Sequence, residues 1–423
     1  MMTALHPAQK QKASRILAGA VTALATLALV GCGSGFSAGG TDRSEAPDAG
    51  GPLNVLIASS GEAESTAVKT AVADWAAGAG KEATVNVASD LPQQLSQGFA
   101  SGKPADVFYV SADQLANYAG NGSLEPYGDD LANKGDFYPA LTEAFTYDGK
   151  LYCAPKDFST LGLVINQDLW KQAGLTEADV PKTWEQLEAA ATKLTQGGTV
   201  GLAFGPEYQR VGAFFAQAGG GLAKDGKASA NSEENVEALG FVKKMMNDGV
   251  AKFSSDLGAG WGGEAFGKGQ AAMVIEGNWI QGALDKDYPA VNYQVAELPE
   301  GPGGKGTLTF TNCWGIAADS KNKDAARKLV EQLTSKENQL AFSQAFGVMP
   351  SIKSARAEWT AAFPALAPFM AGADYAQTTP LQQGAADVLA DFNAQLEQLK
   401  DKEPKAILDS TQGSLEPVLE GAK

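Results

Sequence analysis

Imidazole chemistry has one possible starting point in these 423 residues, His6, which lies in an N-terminal segment that reads as a removable export signal. A mature chain without it has no Ser-His-Asp or Cys-His site, no histidine metal ligand and no imidazole base. Phosphate-loop strings fail as well. Pro299 to Gly306, PEGPGGKG, lacks the leading glycine and ends on Gly306 where a hydroxyl residue is required. Gly258 to Gly263, GAGWGG, has no strand before it, as a dinucleotide fingerprint demands. No cofactor and no metal are therefore expected. Carboxylate-only chemistry of the glycosidase kind survives this filter, and so does binding without chemistry. The most suggestive local grouping is Glu276-Gly277-Asn278-Trp279 directly after a strand candidate, which puts a carboxylate and a ring on a loop able to face a ligand. Ser59, Ser60 and Glu62 follow the first strand candidate and read equally as ligand contacts or as a helix N-cap set.

The elements that must position these groups are short β-rich runs alternating with helical patterns. Strands are predicted at Asn54 to Ala58, Thr84 to Val87, Asp106 to Ser111, Leu163 to Asn166, Val200 to Phe204 and Ala271 to Glu276, with an extended segment from Phe310 to Ala317. Val68, Val72 and Trp75 recur at helical spacing, as do Trp184, Leu187, Ala191 and Leu194. A further helix is predicted from about Glu233 to Asp248, with Gly249 as its left-handed cap. Strands interleaved with helices imply an α/β protein built on parallel sheets.

Residues 16 to 32, ILAGAVTALATLALVGC, follow Lys10, Lys12 and Arg15 and end in Leu29-Val30-Gly31-Cys32. A basic start, an apolar stretch too short to span a bilayer and small residues before a cut site describe a signal peptide, here with a lipoprotein box. The signal is assigned to 1–31, lipidation to Cys32, and a flexible Gly/Ser-rich tether to 32–51. The expected location is the outer face of the cytoplasmic membrane. Loss of the three basic residues of 1–31 takes the formal charge from -16 to -19, a surface that repels nucleic acid. The remaining chain is too large for one compact core, so two domains are expected. Cys153 and Cys313 are then an even pair in an oxidising compartment, bonded to each other or left as two buried thiols, with the compartment favouring the bond.

Four segments together resemble the sugar-binding, maltose-binding-protein-like branch (family 1) of the extracellular solute-binding proteins of bacterial ABC importers. They are Ala265 to Trp279, AFGKGQAAMVIEGNW; Lys150 to Pro155 with Leu163 to Leu169; Asn312 to Ala317 with Ser320 to Lys323; and Pro104 to Asp113 with Gly122 to Pro126. Gly347 to Ser351 adds a weaker match. The resemblance implies a two-lobed periplasmic-binding-protein fold of the class II type, with a ligand cleft between lobes joined by a multi-crossing hinge. Its lobes would be 52–157 plus 311–362, and 158–310 plus 363–423. Cys153 and Cys313 would meet where the crossings lie side by side.

The same resemblance places Asp113 and Glu207 at acidic ligand positions and Trp279 at a stacking position. Glu276, Trp261 and Trp314 are further candidates, alongside Ser60 and Glu62. Carboxylates accept paired hydroxyl bonds and flat rings cover sugar CH faces, so these residue types suit a carbohydrate. The first loop lacks the larger polar and basic groups of the maltose binders, and Val110 stands where they carry an aromatic, so the likeness does not extend to maltose itself. The expected function is capture of a di- or oligosaccharide by hinge closure and delivery to permease subunits, by a monomer and without catalysis. The rival readings are a binder of polyamines or other cations, an extracellular glycosidase, and a structural lipoprotein without a small ligand.

Overall fold

The computed structural model describes residues 51–59, 61–380 and 382–421. The expected signal, Cys32 with nearly all of the tether, and Ser60 lie outside the described residues. Among the described residues no helix is long and apolar enough to cross a membrane.

Ten strands make the main sheet: β1 (Leu53–Ile57), β2 (Ala83–Val87), β3 (Val107–Ser111), β4 (Ala154–Asn166), β5 (Val200–Phe204), β6 (Ala251–Phe253), β7 (Ala271–Gly277), β8 (Tyr293–Ala296), β9 (Thr307–Ile316) and β10 (Ala376–Gln377). Their order is β6-β5-β7-β4-β9-β3-β1-β2, with β8 added to β4 and β10 to β9. β1 runs parallel to β2 and β3, and β5 parallel to β6 and β7. β4 is antiparallel to both β7 and β9, and β9 is antiparallel to β3. The sheet is therefore mixed: the expected parallel pairing holds on either side, and the crossing strands β4 and β9 add antiparallel pairs that were not expected. The chain leaves one lobe along β4 and returns along β9, so two adjacent crossings are traversed in opposite senses.

β4 is the strand that ties the halves together. Its first part pairs with β9 from Ala154↔Trp314 to Thr160↔Thr309, and its second part pairs with β7 from Leu161↔Gly277 to Ile165↔Met273. Side chains on a strand alternate between faces, and Leu163 and Ile165 accordingly enter one core while Phe158 and Val164 enter another. The first-lobe core gathers Val55, Ile57, Val107, Phe108, Leu329 and Phe342 around β1, β3 and the helix Glu62–Ala79, which stops at Gly80 in the left-handed region (φ 61). The second lobe has a core on each sheet face. One holds Phe204, Phe214, Phe215, Leu239 and Met245 and is closed by Phe392, Leu396 and Ile407 of the C-terminal helices; the other holds Phe266, Val274, Ile280 and Phe369. The helix Glu233–Asn247 is capped by Ser232, whose hydroxyl accepts from Asn235 N–H, and is followed by Gly249 at φ 76 as its sequence implies.

Cys153 and Cys313 form a disulfide with Cα atoms 5.7 Å apart. Both are buried in the first-lobe core, and Cys313 lies in register with Val110 on one side and Pro155 on the other. The bond fastens the two crossing strands at their first-lobe end.

Candidate ligand-binding cleft

A cleft of about 630 Å³ opens where the crossing strands meet the lobe surfaces. Its floor is strand edge: Ser159 from β4, and Thr309, Phe310, Thr311 and Asn312 from β9. Ser59, Tyr109, Ser111 and Asp113 line the first-lobe side, Gln209 and Trp279 the second, and Val348 and Thr379 the rim. Such a lining, apolar in part and fringed by hydroxyls and amides, is that of a small-molecule site.

Two charge clusters flank it. On the first-lobe side the Lys156 ammonium is 3.0 Å from Glu64 Oε1, pairs closely with Asp157, and lies 4.6 Å from the centre of the Tyr109 ring. Tyr109 O–H donates to Glu64 Oε1 at 3.1 Å, and Lys156 C=O accepts from Gln339 Nε2 at 2.6 Å. Burial pushes the Asp157 carboxyl above its ordinary range, because removal from water outweighs the pull of Lys156. For Lys156 the same burial works against the charged form, yet Asp157, Tyr109 and Glu64 outweigh it and hold the ammonium protonated with a raised pKa.

On the second-lobe side Arg210 Nη2 and Nε donate to Glu276 Oε2 at 2.8 and 3.2 Å, and Arg210 Nη1 stands 3.6 Å from Glu207. The same Glu276 oxygen accepts Trp279 Nε1–H at 3.1 Å. The guanidinium carbon sits 5.1 Å from the Trp279 ring centre, and Phe310 meets the indole edge to face at 5.3 Å and 88°. The indole is thereby fixed by a hydrogen bond, a cation and a second ring, yet remains 37% exposed. Gly277 permits this fold-back, since a Cβ there would collide with the Trp279 ring. Burial raises the pKa of Glu276 and of Glu207, partly offset in each by Arg210.

The sequence candidates separate cleanly in space. Asp113, an exposed residue in the first turn of the helix Ala112–Gly120, and Trp279 both line the cleft. Glu276 is 1% exposed and Glu207 half-buried; they grip Arg210 behind the Trp279 ring. Trp314 is a correction: it is completely buried, packed on Tyr109 with centroids 4.8 Å apart, and presents no surface to a ligand. Trp261 precedes the short helix Gly262–Gly267 and packs against the Phe266 core, away from the cleft lining. Glu62 is exposed on the first turn of its helix and is also absent from that lining. Ser59 does line the cleft, and its hydroxyl accepts from Gly61 N–H at 3.2 Å.

Sequence reasoning missed Glu64, Tyr109, Lys156, Asp157, Gln209 and Arg210. The adjacent opposite charges Lys156-Asp157, directly after the segment Lys150 to Pro155, were a usable signal, and so was Arg210 three residues after Glu207 at a helix start. Among the described residues no group of three or more His, Cys, Asp or Glu side chains is arranged to hold a metal ion.

The profile of the family described as bacterial extracellular solute-binding protein matches residues 70–371. A putative binding protein of Brucella abortus is 26% identical over 347 residues, covering 78% of this chain and 83% of that protein. A maltooligosaccharide ABC transporter solute-binding lipoprotein of Streptococcus pneumoniae is 27% identical over 367 residues, covering 81% of each. Among solved structures, the cyclic alpha-maltosyl-1,6-maltose binding protein of Arthrobacter globiformis superposes with a TM-score of 0.78 at 22% identity, covering 88% of this chain and 100% of that one.

Proposed function

The chain belongs to the bacterial extracellular solute-binding protein family, and from that premise we propose that it captures a carbohydrate, a di- or oligosaccharide, outside the cell and hands it to the permease subunits of an ABC importer. The observation that carries this reading is the Trp279 ring, clamped by Glu276, Arg210 and Phe310 and still exposed to the cleft opposite Asp113 and a floor of hydroxyls and an amide. A rigid ring presents a CH-compatible face at little entropic cost, and strand-edge hydroxyls satisfy a polyol.

Closure is a population shift. A sugar that touches both lobes binds the closed state better than the open one and stabilises it by that difference. No covalent step is needed, and the carboxylates argue against one. Glu64 and Asp157 are both bonded to Lys156, while Glu276 and Glu207 are held on Arg210. The same pairing disfavours a polyamine, since Asp113 is left as the one lining carboxylate with no cation on it among the described residues.

Lobes of 52–157 plus 311–362 and 158–310 plus 363–423, a monomeric state, and attachment to the outer face of the cytoplasmic membrane through a lipid on Cys32 complete the proposal. The relative from Streptococcus pneumoniae, itself a lipoprotein, supports the anchor.

The deciding experiment is a thermal-shift screen of the purified protein against mono-, di- and oligosaccharides, polyamines and amino acids, at low and high salt. Ligand at a hundred times its Kd adds about 2.7 kcal/mol of stability. A salt-tolerant shift with one sugar class is the expected result. A shift with polyamines alone that fades in salt would replace the carbohydrate reading, and silence with every sugar would end it.

A further inference from the structure

Three strands bring one residue each to a single line across the cleft floor. Asn312 of β9 is in register with Ser111 of β3 on one side and with Asp157 of β4 on the other, and all three line the cleft. Residues paired across a sheet point to the same face, so the hydroxyl, the amide and the carboxylate form a row with steps of roughly 5 Å. Phe310, two positions before Asn312 and therefore on that same face, is the ring that backs Trp279 at 5.3 Å. The aromatic platform and the polar row thus share one side of the crossing strands.

A bulge in β4 completes the row. Asn312 faces Asp157, but the next residue, Cys313, faces Pro155, so Lys156 is an extra residue that reverses the alternation. Without it Asp157 would point the same way as Pro155, beside Cys313 and away from the cleft. The disulfide from Cys313 to Cys153 then pins this register one residue from Asn312. Each member of the row keeps bonding capacity that the protein does not use. Ser111 precedes the helix Ala112–Gly120, yet its side chain does not cap it. Among the described residues the Asn312 side-chain amide makes no hydrogen bond, since Thr311 Oγ1 reaches only its backbone carbonyl. Asp157 gives Oδ2 to Lys156 and its backbone carbonyl to Thr311, which leaves Oδ1 unused. None of these atoms is sealed inside the protein.

The donors and acceptors of the row select a class of ligand. Asp157 only accepts, whereas Asn312 and Ser111 both donate and accept. A ligand of amines alone would leave the Asn312 N–H groups unmet, and an acidic one would set its own carboxylate against Asp157. Neighbouring hydroxyls, each able to donate and to accept, satisfy all three positions. We propose that Ser111, Asn312 and Asp157 are the specificity row of the cleft, reading the free hydroxyl edge of a neutral sugar ring and turning away acidic sugars. The inference rests on the carbohydrate reading above and deepens it. An array fixed before the ligand arrives loses little freedom on binding, which is what the bulge and the disulfide provide.

Isothermal titration with maltotriose, cellotriose, xylotriose and trigalacturonate, beside melting of the sugar-free protein, tests the row. A neutral trisaccharide is expected to bind more tightly than trigalacturonate. Asn312→Ala is expected to weaken the neutral sugar about tenfold and Ser111→Ala about threefold, each through one lost hydrogen bond. The sugar-free melting temperature should stay unchanged in both, because neither side chain bonds to a described residue. Wild-type affinity in both variants overturns the row and leaves the carbohydrate reading intact. Tightest binding of trigalacturonate does the same, because Asp157 would then not be read by the ligand. Failure of every sugar removes both.

Discussion

The two charge clusters beside the cleft are built from the same parts. Each sets one cation between two carboxylates and over an aromatic ring: Lys156 with Glu64, Asp157 and Tyr109, and Arg210 with Glu276, Glu207 and Trp279. They differ in where the ring ends up. Tyr109 is 4% exposed with its hydroxyl spent on Glu64, whereas Trp279 is 37% exposed with only its N–H spent. The same chemistry is thus a strut on one side, joining the helix Glu62–Ala79 to the crossing strand β4, and a display mount on the other. Burial of the ring, and not composition, separates the two roles.

The largest test of that contrast is Lys156→Met. Removing the cation leaves Glu64 and Asp157 facing each other in a largely buried site, and denaturant unfolding of the ligand-free protein should show a loss of roughly 3–5 kcal/mol. A loss near zero would mean that the cluster is no strut. Trp279→Ala should behave in the opposite way, with ligand affinity falling by about 1–2 kcal/mol from lost ring contact and stability changing far less than in the lysine variant. Titration calorimetry and melting on the same sample separate these effects. The smallest effect concerns pH. Lys156 has a folded pKa above its ordinary 10.5, so its contribution is complete below that value and is lost as pH rises through the folded one. Stability measured on the alkaline side of about pH 10.5 should therefore fall more steeply in the wild type than in Lys156→Met, and identical slopes would show that the ammonium gains nothing from its site.

The sequence was most legible where a strand was buried on both faces or alternated regularly. Val200 to Phe204 was predicted with the bounds observed for β5, and β7 and β3 were found within a residue at each end. β4 was half missed: Ala154 to Thr160 contains Pro155, Lys156, Asp157 and Ser159, a composition that looks like a loop until β9 arrives from 150 residues away to pair with it. Long-range partners also explain the site errors. Trp314 lies inside the extended segment Phe310 to Ala317 and Trp279 just beyond a strand, but that difference alone does not decide exposure; what decides it is that Tyr109 and the first-lobe core close over Trp314. Glu276 was found, but its role was not, because Arg210 lies 66 positions earlier. Cys153 and Cys313 were paired on compartment and resemblance, and the bond is present.

That bond has a consequence for the order in which the chain can fold. Its two cysteines are separated by 160 positions, and the segment between them contains β4 to β8 and all but half of β9. The second lobe is thus for the most part a ring of chain closed at its neck. β3 is complete early in the chain, yet its sheet neighbour β9, which carries the partner of Cys153, is made about two hundred residues later. The lobe that begins first must wait for the other to pass before it can be completed, and oxidation of the neck records that the wait is over.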